Sequence, residues 1–286
     1  MTGERRGRSV EVDAVALDGA SAKSKHDAVV TEEPLEIRLV AGRSSRTLAV
    51  TMRTPGNDFE LAAGFAFGEG VVRERDDIAG ITYCLDPEID AEQRYNIVNL
   101  ELAAGSLPDL ERLERHFVTS SACGVCGRSQ IESLRDLGIA PIEDATTVSA
   151  SLLYSLPDRM REAQRVFEST GGLHAAALFD ASGKPLAVRE DVGRHNAVDK
   201  LAGWGLTNGR LPFAETILMV SGRASYEILQ KSAVARIPIV CSVSAPSSLA
   251  VDLAREFNIT LAGFLRGERA NIYSAVERIA QPSRSG

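Results

Sequence analysis

The sequence predicts an α/β protein with a larger C-terminal α/β domain and a smaller N-terminal α+β domain. Three observations carry that expectation. The C-terminal third alternates apolar runs (Ile217–Val220, Ile237–Val243, Thr260–Leu265) with helical patterns over Tyr226–Ala235 and Leu249–Phe257, a βαβαβ unit with largely parallel strands. The N-terminal part instead sets strand-like runs around a single helical stretch. Finally, 286 residues with 44% hydrophobic and 25% charged content suit a globular protein of two modest domains.

Residues 1–25 are polar and lack periodicity, which predicts a flexible arm. Pro34–Val40 and Thr47–Arg53 read as a hairpin joined by a small polar loop. Thr54–Asp58 is a turn into a helix, whose apolar face (Phe59, Leu61, Ala62, Phe65, Ala66) runs until Gly68 and Gly70 stop it. Ile78–Leu85 and Tyr95–Leu102 are two further strands, and Pro108–Arg115 is helix or linker. The small domain therefore spans 26–116 and the α/β domain 117–280, leaving 281–286 as a tail. Within the second, Ser129–Leu137 and Ser151–Glu168 are helical. Gly171-Gly172 then releases the chain into a hairpin of His174–Phe179 and Pro185–Val188.

A net charge of −7 disfavours non-specific binding to nucleic acid or to an anionic membrane, because either needs a basic face. The basic N-terminus precedes no apolar export core, and no apolar run approaches the roughly 18 residues of a membrane span. The expected compartment is the cytoplasm.

Two of the four cysteines, Cys123 and Cys126, lie two positions apart among Ser and Gly, a setting made for access rather than packing. In a reducing compartment such a pair is catalytic, redox-active or metal-binding before it is a staple. The amides of a helix beginning near Cys126, capped by Ser120 or Ser121, would favour a thiolate, as would Arg128. Cys123, just before that helix, is the candidate nucleophile and Cys126 the second player. A zinc knuckle needs more ligands than one pair supplies, and His26, His116, His174 and His195 are scattered, so no directly held metal is expected. Cys84 and Cys241 sit in apolar runs and read as buried.

Two more segments concentrate chemistry. In Arg189–Lys200, the residues Asp191, Arg194, His195 and Asn196 form a candidate binding or proton-transfer cluster. The loops Ser221-Gly222-Arg223 and Ser244–Ser248 deliver small residues to helix starts at the carboxyl edge of a sheet, where phosphate binds. Arg223 and Lys231 could neutralise that charge, while Ser225 and Ser248 are candidate caps. Neither a P-loop nor a dinucleotide fingerprint is present.

Taken in order, Cys123–Gly127, Gly171–Ala176, Glu190–Ala197 with Asp199-Lys200, Ser221–Arg223 through Lys231, Ser244–Pro246, Gly263–Arg266 and Asn271–Tyr273 resemble the formate dehydrogenase accessory sulfurtransferase family. The resemblance runs from about residue 28 to 274. It implies a cytidine-deaminase-like α/β/α fold for the C-terminal domain and a homodimer. It implies a sulfur carrier that takes sulfur from a cysteine desulfurase as a persulfide on Cys123. That sulfur passes to the molybdenum (or tungsten) bis(molybdopterin guanine dinucleotide) cofactor, a bound substrate that GDP-like nucleotides mimic, before the cofactor enters formate dehydrogenase. Phe264, Leu265, Arg266, Gly267, Glu268 and Arg269 correspond to a cofactor-binding stretch. With them go Arg194, His195, Ser221, Gly222, Arg223 and Ser244 at the sheet edge. The rival readings are a thiol–disulfide oxidoreductase, which needs both cysteines equally, and a cofactor-delivery chaperone, which needs neither.

Overall fold

The computed structural model describes residues 7–84, 86, 88–90, 93–108 and 127–280. Strands β1 (Ser9–Asp18) and β2 (Ser21–Val30) form an antiparallel hairpin. The expectation of a loose arm over 1–25 is thus corrected for residues 9–25, residues 1–6 lying outside the described ones. Both faces of this ribbon are largely exposed, with Leu17 79% and Val15 63% accessible, so its sequence never shows the alternation that marks a half-buried strand.

A second sheet holds β3 (Glu33–Ala41), β4 (Ser44–Arg53), β5 (Ile78–Tyr83) and β6 (Ile97–Leu102) in the order β4-β3-β6-β5. On β3, Leu35, Ile37 and Leu39 are fully buried and alternate with partly exposed residues, the period of a strand covered on one face. The cover is helix α1 (Asp58–Gly68), whose buried residues run nearly all round it. Its outer side meets a later helix rather than solvent.

Helices α2 (Gly127–Asp136), α3 (Ala150–Glu162) and α4 (Arg165–Thr170) follow, with the short strand β7 (Val148–Ser149) before α3. Ser149 caps α3 by accepting from the Leu152 amide at 3.1 Å. The single helix expected over Ser151–Glu168 is two, interrupted at Ala163-Gln164, and Gly171 closes the second in the left-handed conformation.

The main sheet contains β8 (His174–Asp180), β9 (Pro185–Asp191), β10 (Thr216–Val220), β11 (Ile239–Ser242), β12 (Thr260–Arg266) and β13 (Arg269–Ser274). Its order is β13-β12-β11-β10-β8-β9. The strands β10, β11 and β12 are mutually parallel, as the alternation predicts, while β8 and β13 run antiparallel to their neighbours. Helix α5 (Arg194–Thr207) follows β9, α6 (Tyr226–Val234) follows β10 and α7 (Ser248–Glu256) follows β11. A short strand, β14 (Ile279–Ala280), pairs with β7. On β10, Leu218 and Val220 pack with Ile228 and Leu253, whereas Ile217 and Met219 pack with Leu153 and Met160 of α3. Burial on both faces explains why the strand reads as one continuous apolar run. No described helix is long and apolar enough to cross a membrane.

Helix α5 joins the two sheets by packing on α1 at glycine-sized separation. A β-carbon built on Gly64 would lie 1.8 Å from the Asp199 carbonyl oxygen, and one on Gly203 1.8 Å from that of Glu60. Backbone on both sides leaves nothing flexible to yield. Gly64→Ala is therefore expected to cost about 3 kcal/mol or more, the upper range for overpacking, read as a lowered Tm in calorimetry. A Tm within a degree of the wild type would refute this packing.

Candidate functional site

At the carboxyl end of β10 the sheet edge opens into a cavity of about 720 Å³, between the α3–α4 wall and the β12–β13 turn. Four of the residues expected to bind cofactor line it: Ser221, Leu265, Arg266 and Gly267. Leu265 is fully buried, so it serves as floor, whereas Arg266 is exposed and free to face an anion. Gly267, at φ +53°, makes the tight turn between β12 and β13 in the left-handed region that suits glycine. Glu268 and Arg269 are exposed on that turn but do not line the cavity.

Phe264 also takes a left-handed φ, of 54°, and the residue is 46% exposed. Its amide donates to the Ser244 carbonyl at 3.1 Å, and the Ser244 amide donates to Ser242 Oγ at 3.1 Å. One short chain of bonds therefore joins the Ser244 loop to the 264–269 stretch. Ser221 Oγ accepts from the Ala175 amide at 2.9 Å, fixing the loop after β10 against β8.

Beside the cavity, α5 presents Arg194 and His195. His195 Nε2 lies 3.1 Å from Ser225 Oγ and 3.6 Å from Glu227 Oε2. Burial dominates and pushes the imidazole down to about 4, against the pull of Glu227 and helped by Arg194, Lys231 and His174. The ring is thus neutral at neutral pH. His174, which lines the cavity, is lowered for the same first reason and then by Arg194. Gly222 lets the group close up, since a β-carbon there would sit 3.3 Å from His174 Nδ1 and 3.6 Å from Arg194 Cδ. Arg194 Nε is buried and has no hydrogen-bond partner among the described residues. Arg223 is exposed beside them.

A histidine whose folded pKa lies below its ordinary 6.5 contributes stability above that value, and the contribution is lost as pH falls toward about 4. His195→Gln is accordingly expected to flatten the acid limb of Tm between pH 6.5 and 4.5. Parallel Tm curves for variant and wild type would contradict this.

The rest of the Arg189–Lys200 segment departs from the sequence expectation. Asp191 is fully buried and accepts from Lys200 Nζ at 2.6 Å, the Thr54 amide at 3.2 Å and Asn196 Nδ2 at 2.9 Å. Asn196 also donates to the Met52 carbonyl at 2.8 Å. Asp191 and Asn196 are fastenings between the two sheets, not ligands. Lys231 is likewise spent, buried in a 2.7 Å ion pair with Asp199, and is not available to neutralise a phosphate. Ser247, rather than Ser248, caps α7, accepting from the Ala250 amide at 3.2 Å. Ser225 is the N-cap residue of α6 but makes no side-chain capping bond, so its hydroxyl is left for His195. Cys84 and Cys241 are buried free thiols, and burial pushes Cys241 up to about 12. Cys123 and Cys126 lie outside the described residues. Sequence reasoning missed the α3–α4 wall, where Asp158, Arg161, Gln164 and Phe167 face the cavity.

The FdhD/NarQ family model matches residues 30–280. The chain is 52% identical over 266 residues to the sulfur carrier protein FdhD of Streptomyces avermitilis, covering 92% of each. It is 45% identical over 282 residues to that of Mycobacterium tuberculosis, covering 97% of this chain and 98% of the other. Its structure superposes with a TM-score of 0.72 on the crystal structure of a formate dehydrogenase accessory protein from Desulfotalea psychrophila. That protein is 25% identical, and the match covers 95% of this chain and 99% of the other. With its sheet-edge cavity and that breadth of likeness, the chain belongs to the FdhD/NarQ family.

Proposed function

We propose that this protein is a cytoplasmic sulfur carrier, a sulfurtransferase required for formate dehydrogenase activity. The observation that carries the reading is the cavity, which gathers Ser221 and Leu265–Gly267 beside His174. Next to it stands Arg194, whose buried Nε has no partner among the described residues and is suited to an anionic ligand. The relatives named sulfur carrier proteins support the same reading.

In the proposed cycle the Cys123 thiolate attacks the outer sulfur of a cysteine desulfurase persulfide. The donor's S–S bond breaks, its cysteine leaves as thiolate, and Cys123 carries the outer sulfur as a persulfide. That sulfur then passes to the molybdenum bis(molybdopterin guanine dinucleotide) cofactor, which is substrate here: the S–S bond breaks, Cys123 leaves as thiolate, and the two electrons that reduce the sulfur to the sulfide level would come from the cofactor in its reduced state. Arg266 and Arg194 would pair with its phosphates in the forked geometry that arginine offers. Neutral His195, hydrogen-bonded to Ser225, adds a polar group to the site without adding charge. We assign the C-terminal α/β part to the cytidine-deaminase-like class. About 720 Å³ per chain holds one nucleotide, whereas the cofactor carries two. A homodimer would supply the second cavity.

The test is to incubate the protein with a cysteine desulfurase and cysteine, then locate added sulfur by intact-mass and peptide mass spectrometry. Sulfur on Cys123 is the expected result. Its absence there would overturn the proposal.

A further inference from the structure

His174 opens β8 and lies opposite Asp191 of β9 in the strand register. Its ring is half-buried and lines the cavity. The next residue ties it to the loop after β10, the Ala175 amide donating to Ser221 Oγ at 2.9 Å. Within that loop Gly222 separates His174 from Arg194. A β-carbon built there would stand 3.3 Å from His174 Nδ1 and 3.6 Å from Arg194 Cδ. An imidazole and a guanidinium side chain therefore flank one backbone position at the cavity wall.

The charges around the ring are unbalanced. From α5, Arg194 opposes a second positive charge, while His195 is neutral and faces Glu227. From β9, Asp191 favours a positive ring, but its carboxylate is already paired with Lys200 at 2.6 Å. Arg161 and Arg266 line the cavity with His174, Arg223 is exposed nearby, and Asp158 is the one carboxylate among the described lining residues. Burial, and then Arg194, hold His174 below its ordinary 6.5, so the empty cavity leaves it neutral at neutral pH. An anion beside Arg194 reverses this balance. It offsets the guanidinium charge and offers the ring an acceptor, and both favour imidazolium.

We propose that His174 binds an anionic group of the substrate by taking up a proton from solvent, so that docking of the cofactor's phosphates is proton-linked. This rests on the nucleotide-cofactor reading above and deepens it by naming a residue whose charge follows occupancy. Because the bound state holds the extra proton, affinity rises as pH falls from about 8 to about 6.

The test is calorimetric titration of the full chain with GDP near pH 6.5, in buffers of different ionisation enthalpy, which counts the protons taken up. His174→Gln is expected to take up about half a proton fewer than the wild type, and to lose about tenfold of the affinity gained between pH 8 and 6. The phosphate's own titration is common to both proteins and cancels. His195→Gln should keep the wild-type uptake. A second measurement needs no variant: the His174 ring, followed by NMR against pH, should titrate about one unit higher with GDP bound. Equal uptake in wild type and His174→Gln, uptake lost with His195→Gln instead, or a His174 titration unmoved by GDP would each overturn this inference alone. GDP that fails to bind at either pH would overturn the nucleotide reading and this inference with it.

Discussion

Replacing Cys123 with alanine is expected to abolish maturation of formate dehydrogenase, lowering its activity by about three orders of magnitude or more in cells relying on the variant. Removing a covalent nucleophile has an effect of at least that scale, because no other group can take over the bond-forming step. Under the carrier reading Cys126→Ala is milder, since one sulfur suffices to hold a persulfide. Measuring formate dehydrogenase activity after complementation separates three outcomes. Loss with Cys123 alone supports the carrier, and equal loss with either cysteine points to a dithiol–disulfide couple. Full activity with both variants would mean that the protein only delivers cofactor.

The second large effect lies in the core. Lys200→Met should destabilise the protein by about 3–5 kcal/mol, the range for removing one partner of a buried ion pair. Lys200 and Asp191 are both fully buried, and Lys200 Nζ also donates to the Thr54 carbonyl at 3.0 Å. Burial lowers the lysine pKa and the Asp191 carboxylate opposes that shift, so the charge is held by its partner. Methionine fills the volume but leaves the carboxylate without its counter-ion. Chemical denaturation of Lys200→Met, Asp191→Asn and the double variant measures the coupling. Additive losses would show that the pair does not act as a unit.

These residues also mark where the sequence was legible. The parallel β10–β12 unit announces itself because burial on both faces leaves an apolar run in each strand, with polar residues only at the strand ends. The segment around Asp191 misleads, since polar residues look alike whether they serve a ligand or a buried fastening. Only the fold brings Thr54 and Met52 to it. The hairpin β1–β2 is illegible for the opposite reason, burying too little to imprint a pattern. At the site, Leu265–Gly267 were named only through the family resemblance, whereas Ser221 could be named from the loop that ends a strand. Gln164 could not, because it reads as one more position in a helical stretch and gains meaning from the break beside it. Strand β13 was missed too, since its alternation is short and its partner β12 is bulged.

The contact between α1 and α5 through Gly64 and Gly203 has a thermodynamic consequence. Backbone pressed against backbone leaves no slip plane between the N-terminal sheet and the sheet that carries the cavity. The two should lose structure in a single cooperative transition. A ligand bound at the cavity then raises the opening free energy of amides on β3 and β6, which it never touches. Occupancy of the site is in this way reported across the whole chain.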